Sequence, residues 1–233
     1  MKLHLGCGTR YIPGYVHIDR VKRDHVDLVQ DVRALGNFGD GTAEIIYACQ
    51  ILEYSDREEV VAVLREWRRV LAPGGLLRLS VPNFDVLTRL YLAGFPLDWF
   101  LGSMFGRIPS GPGPYDYHRT TYDASSLATV LTGNGFVAVE PWDWRETEHA
   151  HVDDFSQAYF PHMEKDRGML WNLNVQARKP AVVSCWTACS SCTSDAGSGL
   201  FPASFTSIRS SSPTSIACRT FEAFAIFRLA RPV

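Results

Sequence analysis

Apolar positions fall into short runs separated by turn signals, and the period of the runs alternates. Lys2–Leu5 is a short apolar strand, Gly6-Cys7-Gly8 a tight turn, and Val16–Ile18 a second strand ending at Asp19. Val26–Val29 reads as a third strand ending near Asp31, and the β-rich run Ala43–Cys49 as a fourth. The period then becomes helical. Val60, Leu64, Trp67 and Leu71 share one face behind a cap at Asp56, with Glu58 and Glu59 in the first turn and Arg68 and Arg69 near the end. Pro73-Gly74-Gly75 stops this helix. Leu76–Val81 is a fifth strand, apolar on both sides apart from Arg78 and Ser80, which suits a sheet covered on two faces.

Phe84–Leu92 predicts a further helix, and 94–114 an irregular stretch rich in Gly and Pro. Asp123 caps a helix through Leu131, closed by Gly133-Asn134-Gly135. Phe136–Trp142 and Leu170–Ala177 are the last strands, and the long connection between them, 143–169, is of the kind that carries function on a rigid sheet. Strands alternating with helices predict an α/β fold, a doubly wound and mostly parallel sheet whose last two strands form an antiparallel edge pair.

Composition narrows the class. A chain of 233 residues, 46% apolar and 21% charged, holds a sizeable core. A net charge of −2 supplies no basic field, so nucleic acid is not an expected partner. The longest apolar stretch, Leu87–Phe105, is broken by Arg89, Gly94, Pro96 and Asp98, so no membrane span is expected. The N-terminal run lacks a secretory pattern and reads as cytoplasmic. Cys7 and Cys49 are lone thiols. Near Pro180 the composition changes: residues 181–233 are dense in Ser and Thr and hold four of the six cysteines. Residues 1–180 are read as one domain, and 181–233 as a disordered tail foreign to it.

A glycine turn between two strands, with an acid at the end of the second, is an arrangement that binds a nucleoside. Gly6 and Gly8 let the backbone approach the ligand, and Asp19 accepts the ribose hydroxyls. Here the third glycine is absent, and Arg10 follows Thr9. Only about eleven residues separate Gly8 from Asp19, against roughly twenty in dinucleotide sites. The first crossover is therefore a turn around Pro13-Gly14, and no helix N-terminus faces a pyrophosphate. His4 has no assigned role.

Leu3–Gly8, Asp19, Gln50-Ile51-Leu52-Glu53-Tyr54 and the run from Trp67 to Gly75 resemble class I S-adenosylmethionine-dependent methyltransferases of the small-molecule branch. The most specific piece is RVLAPGGLLRLSVP, from Arg69 to Pro82. Tyr11–Tyr15 and Glu146–Tyr159 are similar to segments of a bacterial group of predicted methyltransferases associated with surface-sugar or secondary metabolism. The resemblance covers residues 1–180. It implies a Rossmann-like fold and S-adenosyl-L-methionine as cofactor, lined by Leu5, Gly6, Cys7, Gly8 and Asp19. Asp31 and Val32 would face adenine, and Gln50 the methionine moiety. Glu53 would orient the ligand or cap the next helix. The acceptor would be a small molecule or a sugar, methylated on oxygen or nitrogen.

Catalytic candidates come from two segments. In related enzymes a His at the position of His118 lies near the transfer site, which makes His118 a candidate general base with Tyr117 beside it; the alternative is a surface imidazole. His149 opens the run His149-Ala150-His151-Val152-Asp153-Asp154, which resembles a metallohydrolase motif but ends in Asp154 instead of His. Too few further ligands follow for a metal site, so this segment, with His149 as the candidate residue, is placed in the acceptor pocket or in the anchoring of the long connection. Cys185, Cys189 and Cys192 have iron–sulfur spacing, but the chain after them is too short for the barrel such enzymes carry, and the match reads as coincidence. The aromatic stretch 95–117 is a lid over the acceptor or a satellite cluster on the sheet edge. The competing functions are an NAD(P)-dependent oxidoreductase and a non-catalytic cofactor-binding protein.

Overall fold

A computed structural model describes residues 1–109, 115–162 and 164–181. The strands in chain order are β1 (Lys2–Leu5), β2 (Tyr15–Asp19), β3 (Leu28–Val29), β4 (Ala43–Cys49), β5 (Leu71–Pro82), β6 (Gly106–Pro109), β7 (Tyr115–Tyr117), β8 (Val137–Pro141), β9 (Tyr159–Phe160), β10 (Met169–Leu170) and β11 (Asn172–Arg178). The α-helices are α1 (Glu59–Val70), α2 (Phe84–Leu92), α3 (Leu101–Phe105) and α4 (Ala124–Gly133). Seven strands form the main sheet in the order β3-β2-β1-β4-β5-β11-β8. Strands β1 to β5 pair in parallel, and β11 runs antiparallel to both β5 and β8. This is the mostly parallel sheet with an antiparallel edge pair that the alternation of periods predicts.

Strand alternation sorts the two faces. Leu3, Leu5, Ile46 and Ala48 point to one side, where Val60, Val63, Leu64, Trp67 and Val70 of α1 and Leu127 and Leu131 of α4 cover them. His4, Tyr15, His17 and Tyr47 belong to the other side. There Ile12, Trp142 and Val152 from loops and Trp144 from a short 3-10 turn cover the sheet. The first crossover holds no helix, so aromatic side chains do what a helix does in a longer βαβ unit.

Several boundaries differ from the sequence reading. The third strand is only Leu28–Val29, because Val26 turns back to donate to the Arg23 carbonyl at 3.0 Å. Asp56 caps α1 from outside it, its Oδ1 accepting from the amides of Glu58 and Glu59 at 2.8 Å each. Pro73-Gly74-Gly75 lies inside β5 as an irregularity, since pairing with β4 jumps from Ala43–Leu71 to Ile45–Leu76. The aromatic stretch 95–117 divides in two. Phe95, Phe100 and Met104 pack with Leu87, Leu90, Phe160 and Trp171 as a satellite cluster, whereas β6 and β7 form a separate two-stranded ribbon. No helix among the described residues is long and apolar enough to cross a membrane. The cysteine-rich stretch 182–233 lies outside the described residues.

Candidate active site

The carboxyl ends of β1, β2 and β4 open into one cavity of about 340 Å³, where ligands bind in open α/β sheets. Local chemistry builds its floor. Gly6 has φ +64°, and a methyl group there would fall inside the Ile51 side chain. Gly8 has φ +55°, and the space its side chain would occupy is open. Asp19 locks the turn to β2: its Oδ2 accepts from the Gly8 amide and its Oδ1 from the Val21 amide, both at 2.8 Å. Two imidazoles support the turn from below. His17 Nε2 accepts from the Ile12 amide at 2.9 Å, and His25 Nε2 donates to the Gly8 carbonyl at 3.1 Å.

The far wall comes from β3, α1 and β4. Asp31 is gripped by Arg33, with Nε at 3.0 Å and Nη2 at 2.6 Å from its oxygens. Burial opposes ionisation of Asp31, but the Arg33 bonds outweigh it and hold the carboxyl below its ordinary range. The Trp67 indole donates to the Val32 carbonyl at 2.8 Å, fixing Val32 against α1. Gln50, just past β4, adopts φ +56°, a conformation rare outside glycine. Its amide N–H donates to the Ser80 carbonyl at 2.8 Å, while its buried side-chain Nε2 has no partner among the described residues. A strained backbone holding an unsatisfied donor at a cavity wall fits a residue placed for a ligand acceptor.

Of the residues singled out from sequence, Gly6, Cys7, Gly8, Asp19, Asp31, Val32, Gln50 and Tyr117 all line this cavity. Leu5 does not; it is fully buried in the helix-side core, because strand alternation turns it away. Burial raises the Cys7 thiol to about 12, so this sulfur is not a thiolate at neutral pH.

Two catalytic candidates are corrected. His118 is sealed, its side chain 3% exposed and absent from the cavity wall; its Nδ1 donates to the Ser103 carbonyl at 3.1 Å. His149 is packed against Tyr47, Tyr15 and Trp142 on the loop-covered face and also stays out of the cavity. Burial lowers both imidazoles below their ordinary range. Glu53 neither caps a helix nor lines the cavity. Its carboxyl is fully buried without a partner among the described residues, and burial raises it to about 8.

The cavity also contains His4, to which no role was assigned, and the end of the segment expected in the acceptor pocket. His4 lines it while 2% exposed, with Nδ1 unpartnered and the ring lowered by burial to about 3. Asp154 and Phe155 reach it from the long connection. Asp154 Oδ2 accepts from the Tyr47 hydroxyl at 2.5 Å, and Oδ1 accepts from the Ser156 amide and hydroxyl at 2.8 and 2.6 Å. Asn174 of β11 donates to the Ser156 carbonyl at 2.8 Å and anchors that turn. The β6–β7 ribbon contributes Ile108, Asp116 and Tyr117, and Asp116 pairs with Arg20 beside Asp19.

A family model described as a methyltransferase domain matches residues 3–79, from β1 into β5. The search of curated proteins found no match. Among solved structures, the chain is similar to an S-adenosylmethionine-dependent methyltransferase of Methanosarcina mazei: 20% identity, 77% of this chain and 92% of that one covered, TM-score 0.45. It is similar to the 1,6-didemethyltoxoflavin-N1-methyltransferase of Burkholderia thailandensis, solved with 1,6-didemethyltoxoflavin and S-adenosylhomocysteine: 17% identity, 77% and 70% covered, TM-score 0.44. A third is an S-adenosylmethionine-dependent methyltransferase of Archaeoglobus fulgidus: 14% identity, 76% and 85% covered, TM-score 0.46.

Proposed function

We propose that this chain, whose residues 3–79 match a methyltransferase-domain family model, transfers a methyl group from S-adenosylmethionine to an oxygen or nitrogen of a small-molecule acceptor. The observation that carries the reading is the cavity at the ends of β1, β2 and β4, where the Asp19 carboxylate is locked to the Gly8 amide and Gln50 offers an unsatisfied donor. When bound, the donor supplies an electrophilic methyl group on a sulfonium and a neutral thioether leaving group. Asp19 takes the ribose hydroxyls, Asp31 and Val32 flank the adenine, Gly6 and Gly8 leave room for the amino-acid end, and Gln50 donates to it. With so good a leaving group, alignment of the acceptor supplies much of the rate.

The acceptor enters beside Tyr117, Phe155 and Asp154. Asp154 accepts a hydrogen bond from the attacking hydroxyl or amine and takes its proton as the new bond to the methyl carbon forms. The Tyr47 and Ser156 bonds keep this carboxylate in one orientation, and no cation pairs with it among the described residues. Mixed aromatic and polar walls suit a sugar or another small polar ring.

Calorimetric titration with S-adenosylhomocysteine and with NADH tests the donor. Binding of the first and not the second is expected, and the reverse would replace the reading with a nicotinamide-dependent oxidoreductase. Incubation with methyl-labelled donor and fractionated cell extract tests transfer. Label is expected in a small-molecule fraction; label in protein or nucleic acid, or donor binding without any transfer, would count against the acceptor class.

A further inference from the structure

Five guanidinium groups line the cavity, and four of them face a carboxylate. Arg23 lies 3.3 Å from Asp19, Arg33 2.6 Å from Asp31 and Arg119 2.9 Å from Glu59, and Arg20 pairs with Asp116. Arg10 is the exception. Its side chain bonds only to the neighbouring Thr9 hydroxyl, at 3.3 Å, and no carboxylate reaches it among the described residues. Its backbone is fixed, since its amide donates to the Cys7 carbonyl at 2.9 Å and closes the glycine turn, while the side chain is exposed at the cavity mouth.

The turn offers little else to an anion. Gly6 N–H donates to the Ile18 carbonyl at 2.7 Å, Gly8 N–H to Asp19, and Arg10 N–H to Cys7. Apart from that of Thr9, the amides of the turn are therefore taken up within the protein, and no helix begins here to supply others. At the wall formed by β4 and the long connection, Asp154 is a carboxylate without a cation and repels a second one. Among the described residues the cavity thus has one unmatched positive group, at the glycine turn.

We propose that Arg10 is the anchor for a carboxylate, that of the amino-acid end of the donor, doing with a side chain what the missing third glycine and its amides do elsewhere. This rests on the donor reading above. A planar guanidinium pairs with a carboxylate through two parallel hydrogen bonds, which a lone ammonium cannot reproduce.

The test is calorimetric titration of the full chain and its Arg10→Gln and Arg10→Lys variants with three probes. S-adenosylhomocysteine carries the carboxylate, 5′-methylthioadenosine lacks the amino-acid end, and adenosine diphosphate carries phosphate instead. Arg10→Gln is expected to weaken S-adenosylhomocysteine about tenfold and to leave 5′-methylthioadenosine within about twofold, with Arg10→Lys in between. Equal weakening of both adenosyl probes would mean that Arg10 shapes the turn, and no weakening of either would mean a solvated side chain; each overturns the inference and leaves the donor reading standing. Wild-type protein that binds neither adenosyl probe, or that prefers adenosine diphosphate through Arg10, would overturn both.

Discussion

Glu53 and His118 face each other across 3.9 Å, carboxyl oxygen to imidazole Nε2, with the Glu53 side chain fully sealed and that of His118 3% exposed. The bond from His118 Nδ1 to the Ser103 carbonyl fixes the tautomer, so Nε2 presents its lone pair to the carboxyl. Burial raises Glu53 to about 8, and a protonated carboxyl is the partner that lone pair can use. The pair lies behind Tyr54, a cavity residue whose ring meets the imidazole edge-on at 4.7 Å.

The burial of Glu53 sets a pH dependence of stability. Between its ordinary 4.5 and about 8, Glu53 keeps in the folded state a proton that the unfolded chain has lost. Unfolding therefore becomes easier as pH rises through that window, and the full cost is present above it. Glu53→Gln removes the titration. Urea midpoints of the two proteins are expected to diverge from pH 5 to pH 8, with the variant gaining roughly 2–4 kcal/mol relative to wild type. Parallel profiles would show that Glu53 does not titrate in this range.

The same residues show what the sequence made legible. Glycine turn, strand-end acids and Gln50 were readable because they lie at strand ends, where chain order alone decides which side chains share a cavity. Leu5 went astray by one residue of strand alternation. His118 was expected beside the transfer site and is instead buried outside the cavity, and His149 takes the alternative place, packed where the long connection is anchored to the sheet; neither burial can be read from a loop sequence. Asp154 stood in a run assigned as a whole to the acceptor pocket or to anchoring, with only His149 named as the candidate. Tertiary contact with Tyr47, more than a hundred residues earlier, is what singles out the carboxylate at the cavity wall.

Gly6 is constrained twice, by its positive φ and by the Ile51 side chain occupying the volume a methyl group needs. Gly6→Ala is expected to destabilise the fold by roughly 2–4 kcal/mol and to abolish measurable binding of S-adenosylhomocysteine. The double variant with Ile51→Ala relieves the steric term and leaves the conformational one. Chemical denaturation should then recover part of the stability. No recovery would assign the whole effect to the backbone.

The Arg20–Asp116 pair ties the β6–β7 ribbon to the end of β2, directly over the cavity. Both partners are partly exposed, at 41% and 29%, so the pair is weak and screened by salt. Asp116→Asn is expected to speed release of S-adenosylhomocysteine about threefold at low ionic strength, with the difference shrinking as salt is added. Stopped-flow displacement reads it; a salt-independent change would point to altered packing of the ribbon instead.

Asp154 separates binding from chemistry. Asp154→Asn keeps the size of the side chain and removes its capacity to take a proton. Its effect on S-adenosylhomocysteine affinity is expected to stay within about threefold, whereas transfer of label to the acceptor fraction should fall about a hundredfold, as for loss of a general base. Tyr47→Phe removes only the hydroxyl bonded to Asp154 Oδ2, leaving a less well oriented carboxylate. That variant should show a smaller loss of transfer, with donor affinity unchanged. Undiminished transfer by Asp154→Asn would show that alignment alone suffices and that the acceptor's proton leaves to water. A large loss of donor affinity in the same variant would instead move Asp154 from the acceptor side of the cavity to the donor side.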